Sequence, residues 1–364
     1  MLKRIFTLLL SVTIISLSFV TVHSVENSNT DKPGISAESA VLYCVNDGNV
    51  YFSKDENKKM KNASTTKIMT ALLAYEEAQK ENKNVKFTKE MIAEGSSMYL
   101  EVGNVVSLKD LASGMMACSG NDAANAIALT LSDSFEGFAE KMNLKAKQLG
   151  MNNTNFVTPS GLDDENHYST AYDLALLMAF ALDNPDFAES NAKKSVKVDF
   201  VSPDDKSVTY RNHNRLLSLY EYCIGGKTGY TMAAGRCLVS AAEQNGLRFV
   251  CVTLNDKNDW KDHQSLYEYG FANYSLYSCD DTSYYLEVPV VGGNKDTVTV
   301  GSDRKYGIVL TKDKVEKVER TVYMDNFLYA PVKDGDYLGK VIYTLENKKI
   351  AETPLVAMTY SNLK

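Results

Sequence analysis

The sequence predicts a mixed α/β fold of the α+β kind: an antiparallel sheet carrying helices, followed by a small all-β domain. Three observations predict it. A strand hairpin opens the chain, a helix-rich stretch fills its middle, and strands return after about residue 196. Asn245-Gly246 joins two apolar runs of the returning part, a signature of an antiparallel hairpin. Beyond about residue 280 helical periodicity stops, and only short strands with turns remain.

Residues 1–24 stand apart. Lys3 and Arg4 precede a mostly apolar run, and Val22-His23-Ser24 offers small residues where a signal peptidase cuts. The stretch reads as a secretory signal peptide, against the reading of an uncleaved anchor, because the run approaches the length of a span. Residues 25–34 are polar with Pro33-Gly34 and read as a linker. Residues 40–45 and 50–52 flank Asn46-Asp47-Gly48, a second hairpin signal. Residues 64–80 read as a helix, with Ile68, Leu72 and Tyr75 on one side and Glu76, Glu77 and Lys80 on the other. Further helices are expected over about 107–118, 121–132, 134–149 and 170–182, punctuated by Gly114, Gly120, Gly150 and Pro159-Ser160-Gly161. Strands follow over 235–242 and 247–254. The economical sheet makes the first and last strands of this region neighbours. Short strands over 284–291, 297–300, 307–310, 315–322, 337–345 and 355–360 form the last unit. The expected division is 35–280 for a domain bearing the chemistry and 281–364 for a β-rich domain.

Composition narrows the function. The 364 residues suffice for two or three domains, and 44% hydrophobic with 23% charged residues is ordinary for a soluble globular chain. The net charge is −7 with no basic block, which excludes an ordinary nucleic-acid binder. Six cysteines, Cys44, Cys118, Cys223, Cys237, Cys251 and Cys279, form no CxxC pair and read mostly as buried free thiols. No HExxH and no Cys/His cluster suggests a metal, and no GxSxG elbow suggests a Ser-His-Asp hydrolase. His167 reads as a structural hydrogen-bonding residue, and Asp163, Asp164 and Glu165 as a solvated loop.

Three short motifs stand in order: Ser64-Thr65-Thr66-Lys67, Ser119-Gly120-Asn121 and Lys227-Thr228-Gly229. The SxxK pattern alone carries little, since roughly one or two matches arise by chance in such a length. It also starts at Ser190, Ser302 and Ser361. Placement separates Ser64 from these. It opens a helix, and Lys67 follows one turn later on the same face. At helical spacing Lys67 falls on the apolar arc with Ile68, Ala71 and Ala74, away from Glu77 and Lys80. A lysine aimed at a core is desolvated, which lowers its pKa and fits it to act as a base. A serine touching that amine is an activated nucleophile, and the helix N-terminus offers backbone N–H groups to an oxyanion.

The three motifs together resemble those of the penicillin-binding proteins and serine β-lactamases, with Gly120 where other members carry Asp. Ser160-Gly161-Leu162-Asp163, His167 to Asp173, Asn214-Arg215-Leu216-Leu217 and Gly226 to Thr231 resemble the low-molecular-mass D-alanyl-D-alanine carboxypeptidases. The end of the chain, from Ala330-Pro331-Val332 through Pro354-Leu355-Val356, resembles the β-domain of that family. The resemblance implies a β-lactamase/transpeptidase-like catalytic domain that removes the terminal D-Ala from peptidoglycan stem peptides through an acyl-enzyme on Ser64. It implies Lys67 as base and Ser119 with Lys227 in proton transfer to the departing D-Ala. Asn121 holds the substrate amide or Lys67, and Lys227 and Thr228 recognise the terminal carboxylate. The backbone N–H groups of Ser64 and Tyr230, beside Gly229, make the oxyanion hole. Arg248, on the strand after the KTG hairpin, is read as an added positive charge for the carboxylate, against the reading of an exposed strand arginine. β-Lactam antibiotics are the implied covalent inhibitors, and no cofactor is implied. The expected setting is outside the cytoplasm, facing the cell wall, with attachment to the membrane or wall left open. The alternatives are a β-lactamase or transpeptidase of the same fold, or a non-catalytic wall-binding protein. The first lacks the ExxLN motif of class A enzymes, and the intact motifs oppose the last.

Overall fold

The computed structural model describes residues 31–364. The expected signal peptide at 1–24 and most of the expected linker at 25–34 lie outside the described residues.

β1 (Ser39–Cys44) and β2 (Val50–Lys54) form the opening hairpin. A 3-10 turn (Ala63–Thr66) runs straight into α1 (Lys67–Lys80), so the serine of the SxxK motif sits in the tight turn and its lysine opens the α-helix. β3 (Asn84–Lys86) and β4 (Val105–Ser107) pair at the neck of a long loop. Then come α2 (Leu108–Cys118), α3 (Asn121–Leu131), α4 (Phe135–Gln148), α5 (Ala171–Ala181) and α6 (Pro185–Asn191). Local caps start most of them. Ser107 Oγ accepts from Asp110 N, Ser134 Oγ from Gly137 N and Thr170 Oγ from Asp173 N. α1 has no such side-chain cap. The hydroxyls of Ser64 and Thr66 instead meet Lys67 and His167.

A small hairpin of β5 (Ser195–Asp199) and β6 (Ser207–Arg211) and the helical turn α7 (Leu216–Leu219) lead to β7 (Cys223–Thr231), β8 (Gly235–Gln244) and β9 (Leu247–Leu254). The main sheet has the order β2-β1-β9-β8-β7. Its first and last strands are neighbours, with Ser39 opposite Leu254 and Cys44 opposite Phe249. Helices α1 to α5 cover one face, where Ile68, Leu72, Met115, Ile127 and Leu174 pack with Val239 and Val252. α8 (Asp259–Asn273) covers the other face with Leu266, Tyr267 and Phe271 against Leu42 and Phe249. This helix is absent from the expectation, although His263, Leu266, Tyr267, Gly270 and Phe271 stand at helical spacing. β7 is left as an edge strand, so alternate residues turn their N–H and C=O groups outward.

The chain continues through β10 (Tyr274–Asp280), β11 (Tyr285–Val291), β12 (Thr297–Gly301), β13 (Lys305–Thr311), the turn α9 (Lys312–Val315), β14 (Val318–Met324), β15 (Leu328–Tyr329), β16 (Tyr337–Leu345) and β17 (Lys348–Ala357). Val288, Val298, Val300, Val341 and Leu355 form the core of this part. β10 pairs with β13 from Tyr274 opposite Thr311 to Asp280 opposite Lys305. A division at residue 280 therefore cuts β10 from its partner. The strand is continuous in sequence with α8 but hydrogen-bonded to a strand of the C-terminal part. All six cysteines are unpaired, four of them buried. Among the described residues no helix is long and apolar enough to cross a membrane.

Candidate active site

The three motifs, far apart in sequence, meet at the open edge of β7. Lys67 Nζ donates to Ser64 Oγ at 2.9 Å, to Asn121 Oδ1 at 2.7 Å and to the backbone oxygen of Ser160 at 2.7 Å. Lys67 is fully buried, and no carboxylate is among these partners. Burial first, and the neighbouring Lys227 charge second, hold its pKa well below the ordinary lysine value. Lys227 is also buried. Its Nζ donates to Ser119 Oγ at 3.0 Å and to the Thr228 oxygen at 2.8 Å, and burial pushes it down to about 7. Two neighbouring ammonium groups with no carboxylate bonded to either are mutually destabilising. Each amine touches a serine hydroxyl, Lys67 that of Ser64 and Lys227 that of Ser119.

Tight backbone contacts bring these groups together. Ser119 ends α2 in a left-handed conformation with φ 65°, rare for a residue bearing a Cβ, and its hydroxyl meets Lys227. Gly229 lies against the turn that carries the serine: a Cβ there would sit 3.0 Å from Ser64 N and from the Asn62 oxygen. Gly161, at φ 81°, has no room for a Cβ beside the Ala63 oxygen, so the Ser160 carbonyl can close over Lys67. His167 supports this arrangement from behind. Its Nδ1 accepts from Val157 N and Thr158 N, which leaves the proton on Nε2 to donate to Thr66 Oγ1 at 2.8 Å. Burial brings its pKa down to about 4, so it is neutral, as a structural histidine would be.

Ser64, Ser119, Thr228, Gly229 and Tyr230 line a cleft of about 530 Å³. Arg248 is not there. It sits near the β8–β9 turn, with Nε 2.7 Å from Glu243 Oε2, and borders a separate hollow with Leu182 and Ala188. The register gives the reason. Thr228 lies opposite Leu238, and Leu238 opposite Thr253, so the site meets β9 five residues from Arg248, roughly 16 Å along the strand. The arginine in the cleft wall is Arg236, opposite Tyr230. Its guanidinium is gripped by Asp259, with NH2 2.6 Å from Oδ1 and Nε 3.1 Å from Oδ2, and lies over the ring of Trp260. Sequence reasoning missed Arg236 and Trp260. Counting the β7–β8 hairpin register outward from the KTG motif is the signal that finds the arginine.

This constellation has known counterparts. A family model described as D-alanyl-D-alanine carboxypeptidase (Peptidase S11) matches residues 26–258. The chain belongs to this carboxypeptidase family. A second model, the C-terminal domain of penicillin-binding protein 5, matches residues 271–360, which takes in the whole of β10. The carboxypeptidase is 30% identical to D-alanyl-D-alanine carboxypeptidase DacF of Bacillus subtilis, across 96% of this chain and 92% of that one. It is 32% identical to DacA of Haemophilus influenzae, across 90% and 85% of the two chains. Penicillin-binding protein 5 of Haemophilus influenzae superposes with a TM-score of 0.68 at 30% identity, covering 92% of this chain and 99% of that one. A mutant of the Streptomyces K15 DD-transpeptidase superposes with a TM-score of 0.62 at 30% identity, covering 66% of this chain and all of the other. The protein is thus a serine-type D-alanyl-D-alanine carboxypeptidase, with the expected fold and a β-rich C-terminal domain.

Proposed function

We propose that the enzyme trims D-Ala-D-Ala ends of peptidoglycan stem peptides through an ester on Ser64. Neutral Lys67 takes the hydroxyl proton as Ser64 Oγ bonds to the carbonyl carbon of the penultimate D-Ala. The carbonyl oxygen becomes an oxyanion beside the backbone N–H groups of Ser64 and Tyr230. The C–N bond then breaks, and the departing D-Ala amine receives a proton by way of Ser119 and Lys227. Water hydrolyses the ester and restores Ser64. The substrate lies along the open edge of β7 and uses the outward backbone groups there. Its terminal carboxylate meets Lys227 and Thr228, and Arg236, rather than Arg248, supplies the further positive charge.

One observation carries this reading: a fully buried amine, bonded to no carboxylate, donates to the hydroxyl of Ser64 at 2.9 Å. Penicillin offers a carboxylate and a strained amide in the same relation, so it should acylate the same oxygen. Mass spectrometry of the intact protein after incubation with benzylpenicillin, followed by peptide mapping, should place one adduct on the peptide containing Ser64. An adduct elsewhere, or none, defeats the reading. We place the reaction outside the cytoplasm, because the expected signal peptide and a cell-wall substrate agree. The unit that performs it ends near Asn273, where α8 stops and β10 turns to β13.

A further inference from the structure

The loop between β3 and β4 folds over the site and supplies Ser96 to the cleft wall. Besides Asn121 and the Tyr210 hydroxyl on the Met98 oxygen, one buried carboxylate that the proposed acyl transfer does not use holds it there. Asp122, 3% exposed, follows Asn121 at the start of α3. Its Oδ2 accepts from Ser97 Oγ at 2.7 Å and from Leu100 N at 3.1 Å. Its Oδ1 accepts from Met98 N at 2.8 Å and from Ala123 N at 2.9 Å. Asn121 is bound to the same loop, with its N–H on the Ser96 oxygen at 2.7 Å and its Nδ2 on the Glu94 oxygen at 2.6 Å. The other end of that amide, Oδ1, receives Lys67. Loop, amide and amine therefore form one chain of hydrogen bonds.

We infer that Asp122 is a positioning residue for the acylation step: by clasping residues 97–100 it fixes the loop against which Asn121 orients Lys67. The inference rests on Lys67 being the base. A second observation supports it independently. A Cβ at Gly120 would lie 2.8 Å from Asp122 Oδ1 and 3.0 Å from Met98 N. The glycine at the centre of the second motif is thus the residue that lets the clasp close. The clasp also holds Tyr99, flanked by two of the bonded segments, at φ 56° with its side chain in solvent. Left-handed backbone at a bulky residue persists only where its surroundings over-determine it.

The test uses full-length protein and two variants. Acylation by benzylpenicillin is followed across pH, and hydrogen exchange is read at the Met98 and Leu100 amides. Asp122→Asn keeps the shape but loses the charge and one acceptor. Its loop amides should exchange about tenfold faster, and acylation should fall roughly 10- to 100-fold. The acid limb of its pH profile should also move to lower pH. The titratable groups that act on Lys67 are Lys227 from β7, Asp122 from α3 and Cys118 from α2, whose thiol burial pushes up to about 11 and keeps protonated; Asp122 favours the ammonium form. Removing its charge therefore frees the base at lower pH. Ser97→Ala cuts one strand of the clasp and keeps the charge, so exchange should quicken while the acid limb stays. A merely structural role lowers stability without moving the limb. Wild-type rate and limb in folded Asp122→Asn overturn the inference. If that variant does not fold, unchanged exchange and acylation in Ser97→Ala overturn it. Wild-type protein that takes up no penicillin sinks the assignment of Ser64 instead, and the exchange measurements still judge the clasp.

Discussion

Asp281 of the C-terminal domain and Lys67 of the catalytic region are both buried ionisable groups, one beside an opposite charge and the other without. Asp281 meets Arg320 through Nε at 3.0 Å and NH2 at 2.9 Å, and accepts from the Tyr343 hydroxyl at 3.0 Å. Lys67 has a hydroxyl, an amide oxygen and a carbonyl. A buried carboxylate held by a guanidinium and a hydroxyl fixes architecture. A buried amine without a carboxylate is driven toward its neutral form and becomes available for proton transfer. Both regions are built on mainly antiparallel sheets, so the partner of the buried group, rather than the fold around it, separates chemistry from scaffold.

The largest effect should come from deleting each group in turn. Lys67→Ala should slow acylation by more than ~10²-fold with no loss of thermal stability, since it removes a desolvated amine. Asp281→Ala should leave acylation at the wild-type rate and destabilise the C-terminal domain by about 2 kcal/mol, less than a fully buried pair because Arg320 remains partly exposed. Rates from stopped acylation reactions and denaturant midpoints check both. Near-normal acylation in Lys67→Ala puts the base elsewhere and breaks the comparison.

Acid should separate the two regions next. His167 and His263 lie in the catalytic region, and burial holds them down to about 4 and about 3. An unfolded histidine titrates near 6.5, so above that pH neither state is protonated and stability is complete. As pH falls below about 6.5 the unfolded chain takes up protons that the folded chain refuses. Stability is then lost until the folded pKa is reached, about 3 kcal/mol for His167 by pH 4. The sequence places no histidine beyond His263, so unfolding of the β-domain should show no such histidine-driven slope. Urea titrations across this window are the measurement, and His167→Gln should reduce the slope by the share of one histidine, leaving that of His263. A slope of equal size in the β-domain contradicts the account.

The smallest effect is expected from removing the β-domain. A chain ending at Asn273 keeps all three motifs and the main sheet. Its acylation rate should stay within about twofold of the full chain, while activity on intact cell wall falls further as positioning is lost. Rates on a small D-Ala-D-Ala peptide and on cell wall, compared at matched folded concentration, decide it. Equal loss on both, with the fold intact, means that the β-domain shapes the cleft.

Much of this organisation was legible in the residues. The order of the motifs, the hairpins at Asp47-Gly48 and Asn245-Gly246, the four middle helices and the inward face of Lys67 all rest on spacing within a few residues, which local backbone geometry enforces. α8 was legible too, in the spacing of Leu266, Tyr267 and Phe271, although the texture of the surrounding strands concealed it.

Other features had no local signature. Which arginine reaches the cleft depends on the register carried from β7 through β8 to β9, and on Asp259 at the start of a helix from the opposite face. A shift of a few positions along a strand moves a side chain many ångströms, so Arg236 and Arg248 exchange roles without any change in composition. The pairing of β10 with β13 and the clasp of Asp122 on residues 97–100 join segments whose sequences carry no sign of one another. Residue order was enough to specify the chemical groups and the local elements that present them. Which groups meet, and which are desolvated, was settled by packing across the molecule, because burial and pairing depend on distances through the fold that no short-range pattern records.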